Sequence, residues 1–193
     1  MIVYETHSTT VDNEAGMASG WRGSVLSAQG RVEAGELGRR RRSSPRVYTS
    51  DLRQAVQTVE VAFGGTGVPV RLDPRLRECD YGEWTGMPVA ELAVERPRRV
   101  ATAFPGGESY LDVVARMRGF LADIDDGVLI VGHAATRFAL EHLCRGVPLE
   151  VAVAVPFVWR PGWRYRVGRR PPVSGARPGG LSGAAGRTSA DPR

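Results

Sequence analysis

The chain has 193 residues, of which 42% are hydrophobic and 24% charged, with 24 Gly, 13 Pro and 2 Cys. This composition is typical of a globular domain with a sizeable core, and it excludes collagen, a fully disordered chain and a small disulfide scaffold. All 26 basic residues are Arg, and +4 of the formal net charge of +5 lies in residues 168–193, so the nearly neutral body does not indicate a nucleic-acid-binding surface.

The sequence carries no sign of secretion or of a membrane span. Its first residues contain neither a basic segment nor a long apolar one, and no apolar stretch approaches the roughly 18 residues of a membrane helix. Two Cys without a Cys-x-x-Cys pair and three His are too few for a disulfide framework or a zinc cluster. We therefore expect a cytoplasmic protein without a membrane partner, a metal or a cofactor.

Short apolar runs alternate with helical patterns along the chain. The sequence predicts, in order, a strand at 2–5, a loop to about Leu26, a helix from Ser27 to the run Arg39–Arg42, a strand at 45–49, a helix with Ser50 as N-cap to about Phe63, a strand at 68–72, a loop at 73–87, helices at 88–95 and 108–123, a strand at 128–131, a helix at 134–145 and an edge hairpin at 157–167. This alternation predicts an α/β fold, a three-layer sandwich with a mainly parallel sheet flanked by helices. Residues 1–167 form the predicted domain, and residues 168–193 are expected to be a disordered tail rich in Arg, Gly and Pro.

Two of the three histidines directly follow predicted strands, His7 after the first strand and His133 after the apolar run Val128–Val131. Because the carboxyl ends of parallel strands meet at one edge of a sheet, we expect the two imidazoles to share a crevice. Either one alone could equally serve as a local cap or hydrogen-bonding group. The pair, with hydroxyl and amide side chains after His7 and a helix N-terminus after His133, favours a phosphoryl site in which one imidazole attacks phosphorus and the other stabilises charge.

Several blocks resemble the histidine phosphatase superfamily, which is also called phosphoglycerate mutase-like. The opening Thr6-His7-Ser8-Thr9-Thr10 with Asn13 is similar to the family's Arg-His-Gly-x-Thr…Asn motif. The further blocks, in the family's order over roughly residues 2–146, are Leu26-Ser27-x-x-Gly30, Thr49-Ser50-Asp51-Leu52 with Ala55 and Thr58, Leu76-Arg77-Glu78 with Tyr81-Gly82 and Gly86, Pro105-Gly106-Gly107-Glu108-Ser109, and Val131-Gly132-His133. The resemblance implies the phosphoglycerate mutase-like fold.

The same resemblance implies a two-step phosphoryl transfer through a phosphohistidine. His7 matches the family's nucleophile, Glu78 the acid that protonates the leaving oxygen and later activates water, and His133 the second histidine of the phosphate pocket. A solvated loop carboxylate is the alternative for Glu78. The positions implied to bind phosphate or substrate are Ser8, Thr10, Asn13, Tyr81 and the backbone N–H of Ala134.

The sequence departs from the family at its two arginines. Thr6 stands where the family has Arg before the nucleophile, and Gln54 where it has Arg in the Ser-x-Leu block. Neither side chain supplies positive charge to a phosphoryl group, and losing such a donor costs about 3 kcal/mol in the transition state. We expect a slow enzyme unless another guanidinium enters the crevice, and we expect at least one to do so, with Arg53, Arg137 and Arg22 as candidates.

The sequence thus predicts a metal-independent phosphatase that hydrolyses a small phosphomonoester metabolite. Two alternatives stay open: a catalytically weak or inactive relative that binds a phosphorylated ligand or a protein partner, and a phosphomutase, for which the body looks short. Nucleic-acid binding through Arg39–Arg42 and residues 168–193 is not expected. Trp159, Trp163 and Tyr165 on the edge hairpin could form a homodimer contact or cover the adjacent helix.

Overall fold

A five-stranded, mostly parallel sheet forms the centre of the protein, which we describe from a computed structural model for residues 1–167. Its strands are β1 (Ile2–Thr6), β2 (Val47–Thr49), β3 (Val70–Leu72), β4 (Leu129–Gly132) and β5 (Trp163–Tyr165). Their order is β3-β2-β4-β1-β5, in which β5 alone runs antiparallel, on β1 at one edge. The predicted α/β fold with a mainly parallel sheet is therefore confirmed, whereas the predicted tail lies outside the described residues.

Helices cover both faces of this sheet. They are α1 (Val11–Glu14), α2 (Ala28–Arg41), α3 (Arg53–Phe63), α4 (Val89–Glu95), α5 (Tyr110–Asp123), α6 (Ala134–Arg145) and α7 (Leu149–Ala154). On one face α2 and α3 enclose a small apolar cluster, and on the other face α5 and α6 enclose the larger one. β4 lies between the two clusters with all its residues buried, as its uninterrupted apolar run predicts. Among residues 1–167, no helix has both the length and the apolar content to cross a membrane.

The starts of two neighbouring helices show how well cap residues could be predicted. Ser27 is the N-cap of α2, as predicted, and its side chain accepts a hydrogen bond from the N–H of Gly30. The prediction of Ser50 as the N-cap of α3 is wrong, because α3 begins after Leu52. The hydroxyl of Ser50 instead makes a hydrogen bond to the ring of His133.

The C-terminal part of the domain corrects the predicted hairpin at 157–167. Only β5 forms there, because residues 155–162 connect α7 to it without strand pairing. Trp163 and Tyr165 are buried against Tyr4 of β1, so they cover the core and do not offer a dimer surface. Trp159 remains half-exposed. The helices α1 and α7 were not predicted, since one or two turns carry too little periodicity to distinguish them from loops.

The arginine run at the end of α2 compensates a buried carboxylate. Glu5 of β1 is only 1% exposed, and its carboxylate accepts hydrogen bonds from Arg41 Nε at 2.7 Å and Arg40 Nη2 at 3.4 Å. The interpretation of Arg39–Arg42 as a solvated helix end is therefore incomplete. Two of its four guanidinium groups bind the Glu5 carboxylate, so less unpaired positive charge is left for a nucleic acid.

Candidate active site

The two histidines lie side by side at the carboxyl end of the sheet. β1 and β4 are neighbouring parallel strands with Thr6 opposite Gly132, so the next residue of each strand leaves the sheet at the same edge. The ring centroids of His7 and His133 are 5.0 Å apart. Both rings line a cavity of about 410 Å³. The expectation that these imidazoles share a crevice is confirmed.

His7 is held in one tautomer. Its Nδ1 is 2.8 Å from the carbonyl oxygen of Ser8, and because a carbonyl only accepts, Nδ1 must donate and Nε2 keeps a free lone pair. The Ser8 backbone is itself fixed, since its N–H donates to Thr58 Oγ1 at 3.0 Å. Burial lowers the pKa of His7 below its ordinary value, so the ring is mostly neutral at pH 7. These properties suit a nucleophile.

His133 is buried completely and anchored through one nitrogen. Its Nε2 lies 2.7 Å from Ser50 Oγ. The Ser50 hydroxyl accepts from the N–H of Leu52 at 3.3 Å, and when it donates its own proton to Nε2 the proton of a neutral His133 is on Nδ1. Burial, together with the neighbouring His7 and Arg116, holds the pKa of His133 well below its ordinary value. A neutral ring with an N–H in the cavity can donate to a bound oxygen.

Glu78 is half-buried and its carboxylate is bound at the N-terminus of α6, so it is not a solvated loop side chain. It accepts hydrogen bonds from the backbone N–H groups of Cys79 at 2.8 Å and of Ala134 and Ala135 at 3.1 Å each. These donors and the helix dipole favour its charged form. Burial outweighs them and raises the pKa of Glu78 above its ordinary value. A carboxyl group with a raised pKa in a cavity is suited to proton transfer.

The loop that carries Glu78 is held in place by Arg116 of α5. The guanidinium of Arg116 donates to the carbonyl oxygens of Arg75 and Arg77 at 2.7 Å each and of Glu78 at 2.9 Å. It also forms two hydrogen bonds with the carboxylate of Glu108, at 2.9 and 3.0 Å. One side chain therefore holds the backbone at residues 75, 77 and 78, up to and including the acid.

The remaining predicted binding residues divide into two groups. Asn13, Tyr81 and Ala134 line the cavity together with the histidines and Glu78. Ser8 and Thr10 are buried beside it but do not line it. Ser8 acts through its carbonyl on His7, and Thr10 is the N-cap of α1 in a capping box with Asn13.

None of the three predicted replacement arginines lines the cavity. Arg53 is exposed, Arg22 pairs with Asp12 at 2.8 Å, and the guanidinium carbon of Arg137 lies 5.3 Å from the ring centroid of Trp163, beside a different cavity. The guanidinium that does line the cavity belongs to Arg96, which sequence reasoning missed. Its signal was helical phase, because position 96 follows the buried Leu92 by one turn.

Thr6 and Gln54, which stand at the positions of the family's two arginines, both line the cavity. Gln54 is buried, and its Oε1 accepts from the N–H of Ser24 at 3.2 Å. Thr6 Oγ1 is buried and has no hydrogen-bond partner within residues 1–167. Neutral side chains thus replace charge at both positions.

Unpartnered polar atoms concentrate in this cavity. Six buried side-chain nitrogen or oxygen atoms within residues 1–167 lack a hydrogen-bond partner, and three of them belong to cavity residues: Thr6 Oγ1, Arg96 Nε and His133 Nδ1. Buried polar groups in folded proteins are nearly always paired, so this concentration points to a polar ligand. The cavity also has an apolar wall, formed by Met17, Ala18, Val89, Leu92, Phe157 and Trp159. Across the described part of the chain, no group of three or more His, Cys, Asp or Glu is arranged to hold a metal ion.

Comparison with known proteins relates the chain to one family. Residues 6–156 match the family model described as histidine phosphatase superfamily (branch 1). The glucosyl-3-phosphoglycerate phosphatase of Mycobacterium tuberculosis is 30% identical over 182 residues, covering 79% of this chain and 82% of the relative. A 2,3-bisphosphoglycerate-dependent phosphoglycerate mutase of Afipia carboxidovorans is 29% identical, covering 83% and 91%. The structure of a mycobacterial glucosyl-3-phosphoglycerate phosphatase in complex with VO3 superimposes with a TM-score of 0.70 at 28% identity, covering 82% of this chain and 86% of that chain.

Proposed function

We propose, since the chain belongs to branch 1 of the histidine phosphatase superfamily, that it hydrolyses a small phosphomonoester through a phosphohistidine on His7 and without a metal ion. The relatives include phosphatases and mutases that act on small phosphorylated metabolites. The observation that carries the proposal is the tautomer of His7. Its Nδ1 is bound to the Ser8 carbonyl, so the lone pair of Nε2 is free beside the second histidine.

In the first step, the Nε2 lone pair of His7 attacks phosphorus and the bond from phosphorus to the ester oxygen breaks. The leaving oxygen takes the proton of Glu78, and the product alcohol departs. The N–H of His133 donates to a phosphoryl oxygen and stabilises the charge that builds there. Burial supports this assignment of Glu78, because a raised pKa keeps a larger fraction of the carboxyl protonated.

In the second step, the Glu78 carboxylate accepts a proton from water while the water oxygen attacks phosphorus. The bond between Nε2 and phosphorus breaks, and His7 recovers its lone pair as phosphate leaves. A mutase would instead return the phosphoryl group to another hydroxyl of a retained intermediate, which requires water to be excluded. The outcome is read directly from whether inorganic phosphate or an isomer accumulates.

We infer that turnover is slow compared with an arginine-bearing site. Thr6 and Gln54 donate no positive charge, and each missing charged donor costs about 3 kcal/mol in the transition state. The same two residues favour a second candidate function, that of a weak or inactive relative which binds a phosphorylated ligand. The free Nε2 of His7 and the carboxyl group of Glu78 argue against full inactivity, because both reacting groups are retained in the cavity.

The test is a panel of phosphomonoesters incubated with chelator-treated protein and assayed for phosphate release. His7→Gln should lose all turnover and the acid-labile phosphorylated species, whereas His142→Gln, in α6 and bonded to the Val147 carbonyl, should retain both. Activity that survives His7→Gln, or that disappears with the chelator, would contradict the proposed mechanism. Saturable binding of an ester without any turnover would establish the second candidate.

A further inference from the structure

Arg96 is a buried guanidinium that acts electrostatically on Glu78 but is bound to no carboxylate of residues 1–167. The residue is 7% exposed, and within residues 1–167 its side chain forms neither a hydrogen bond nor an ion pair, while its Nε is wholly buried and unpartnered. Its one ring contact is with Phe138 of α6, whose centroid lies 5.7 Å from the guanidinium carbon. Every other guanidinium with its Nε buried and unpartnered has a carbonyl or carboxylate partner through another nitrogen, as in Arg99 and Arg137.

Such an arrangement lowers the stability of the folded protein. A buried charge that lacks a partner costs several kcal/mol, and an apolar side chain of similar volume is usually at least as stable. Arg96 follows the buried Leu92 by one turn, at the C-cap of α4. Because the guanidinium lines the cavity, an anion bound there can supply the missing partner.

The position of Arg96 indicates which part of a bound substrate this anion belongs to. Arg96 is the C-cap of α4, the helix whose Val89 and Leu92 line the apolar part of the cavity. Its positive charge acts on Glu78 and Tyr81, where it opposes the rise in pKa that burial causes. The two histidines instead follow β1 and β4 and are bound to Ser8 and Ser50, at the end of the cavity formed by the strands. Glu78 faces the ester oxygen in the proposed function, so Arg96 faces the leaving group rather than the phosphoryl group.

The charges of the cavity limit the anion to a small one. Among residues 1–167, Arg96 is the single arginine that lines it, and Glu33 and Glu78 line it as well. A second phosphate group with a charge near −2 would be opposed by these carboxyl groups. A carboxylate carries one charge on two oxygens, which matches the two-pronged geometry of one guanidinium.

We propose that Arg96 is a specificity-determining residue that binds a carboxylate on the leaving group of the substrate. The proposal rests on the proposed function, and it narrows the substrate to a phosphomonoester of a hydroxycarboxylic acid. The apolar wall formed by Met17, Val89 and Leu92 then contacts the carbon skeleton of that acid.

The experiment compares two esters that differ in one group, 2-phosphoglycolate with a carboxylate and ethyl phosphate with a methyl. Arg96→Met should lower kcat/KM for 2-phosphoglycolate by about 10- to 100-fold, the value of a charge-assisted hydrogen-bonded pair, and change that for ethyl phosphate less than threefold. Arg96→Lys keeps the positive charge but loses the two-pronged guanidinium, so its kcat/KM for 2-phosphoglycolate should lie between those of the wild type and Arg96→Met. The matched control is Arg98→Met, because Arg98 is 75% exposed and pairs with Glu95 outside the cavity.

Two further measurements separate the explanations. Competitive inhibition by inorganic phosphate should be the same in the wild type and Arg96→Met, and thermal unfolding of Arg96→Met should occur at an equal or higher temperature. Equal losses for both esters with weaker phosphate inhibition would overturn the proposal in favour of a phosphoryl contact. Equal losses with unchanged phosphate inhibition and a lower unfolding temperature would overturn it in favour of a packing role.

Failure of the proposed function gives a different result. If wild type hydrolyses neither ester, calorimetric titration of each ester into wild type and Arg96→Met tests the carboxylate contact without turnover. Tighter binding of 2-phosphoglycolate that is lost in Arg96→Met supports the proposal, and equal binding of the two esters to wild type overturns it.

Discussion

Replacing Arg116 should remove the hydrogen bonds that hold the Glu78 loop in place. The Arg116 guanidinium donates hydrogen bonds to the carbonyl oxygens of Arg75, Arg77 and Glu78 and to both oxygens of Glu108. The side chains of Arg116 and Glu108 are 14% and 18% exposed. Arg116→Met therefore removes five hydrogen bonds and leaves a mostly buried carboxylate without its partner.

The size of the effect follows from these contacts. Breaking a buried ion pair on one side costs about 3 to 5 kcal/mol, and the residual exposure of both partners favours the lower end. We expect Arg116→Met to lower the free energy of unfolding by about 3 kcal/mol. The double variant Arg116→Met with Glu108→Gln should recover about 1 kcal/mol or more, because no unpaired charge is then left in the interior. Arg118→Met, two residues along α5 and exposed, is the matched control and should lie within about 0.5 kcal/mol of wild type.

The catalytic consequence distinguishes a positioning role from a purely structural one. If Arg116 places the Glu78 carboxyl, kcat should fall about 100-fold, the usual contribution of a positioned acid, while KM changes little. Urea denaturation and steady-state kinetics at a temperature where both variants are folded provide the two numbers. A variant that loses stability yet keeps the wild-type kcat would refute the reasoning, because Glu78 would then hold its position without the hydrogen bonds of Arg116.

Three further predictions concern the charges of the cavity. Glu78→Gln should abolish the alkaline limb of the kcat/KM profile against pH, since burial raises the pKa of Glu78 above its ordinary value and the protonated carboxyl is lost above it; an unchanged limb would assign that limb to another group. Burial keeps His133 neutral in the folded state, so the unfolded chain binds an extra proton below pH 6.5 and stability should fall there by up to about 1.4 kcal/mol per pH unit. Urea denaturation at pH 7.5 and 5.5 should therefore show a steeper loss for wild type than for His133→Gln, and equal losses would contradict the neutral ring. Thr6→Arg should raise kcat/KM by about 100-fold over Thr6→Gln in a phosphate-release assay, and no gain would mean that charge at this position does not reach the phosphoryl group.

The sequence was most informative where one strong local pattern dominates. The apolar run before His133 is buried on both sides, and its parallel neighbour is the first strand, so the two histidines could be brought together from strand order alone. Ser27 is the N-cap of α2 because its hydroxyl accepts a hydrogen bond from a backbone N–H that has no partner within the helix.

Other features depend on contacts between distant segments, which a single sequence does not display. Ser50 has the chemistry of an N-cap, but its hydroxyl serves His133, which is 83 residues away. Arg40 and Arg41 resemble a solvated helix end until Glu5 is known to be buried beneath them. In each case a long-range polar partner overrides a local preference.

The neutral side chains at positions 6 and 54 also bear on how Glu78 holds its proton. The pKa of Glu78 is raised by burial and lowered by nearby positive charge, including that of Arg96. A guanidinium introduced by Thr6→Arg would add to the lowering influence, so the alkaline limb of the kcat/KM profile should move to lower pH as the maximal rate increases. The substrate dianion acts in the opposite direction, because it competes with the Glu78 carboxylate for the N–H of Ala134 and repels its charge. Loss of the family's arginines thus weakens the stabilisation of the phosphoryl group while helping to keep the acid protonated, and a Thr6→Arg enzyme whose rate rises without any shift of that limb would show that the two effects are independent.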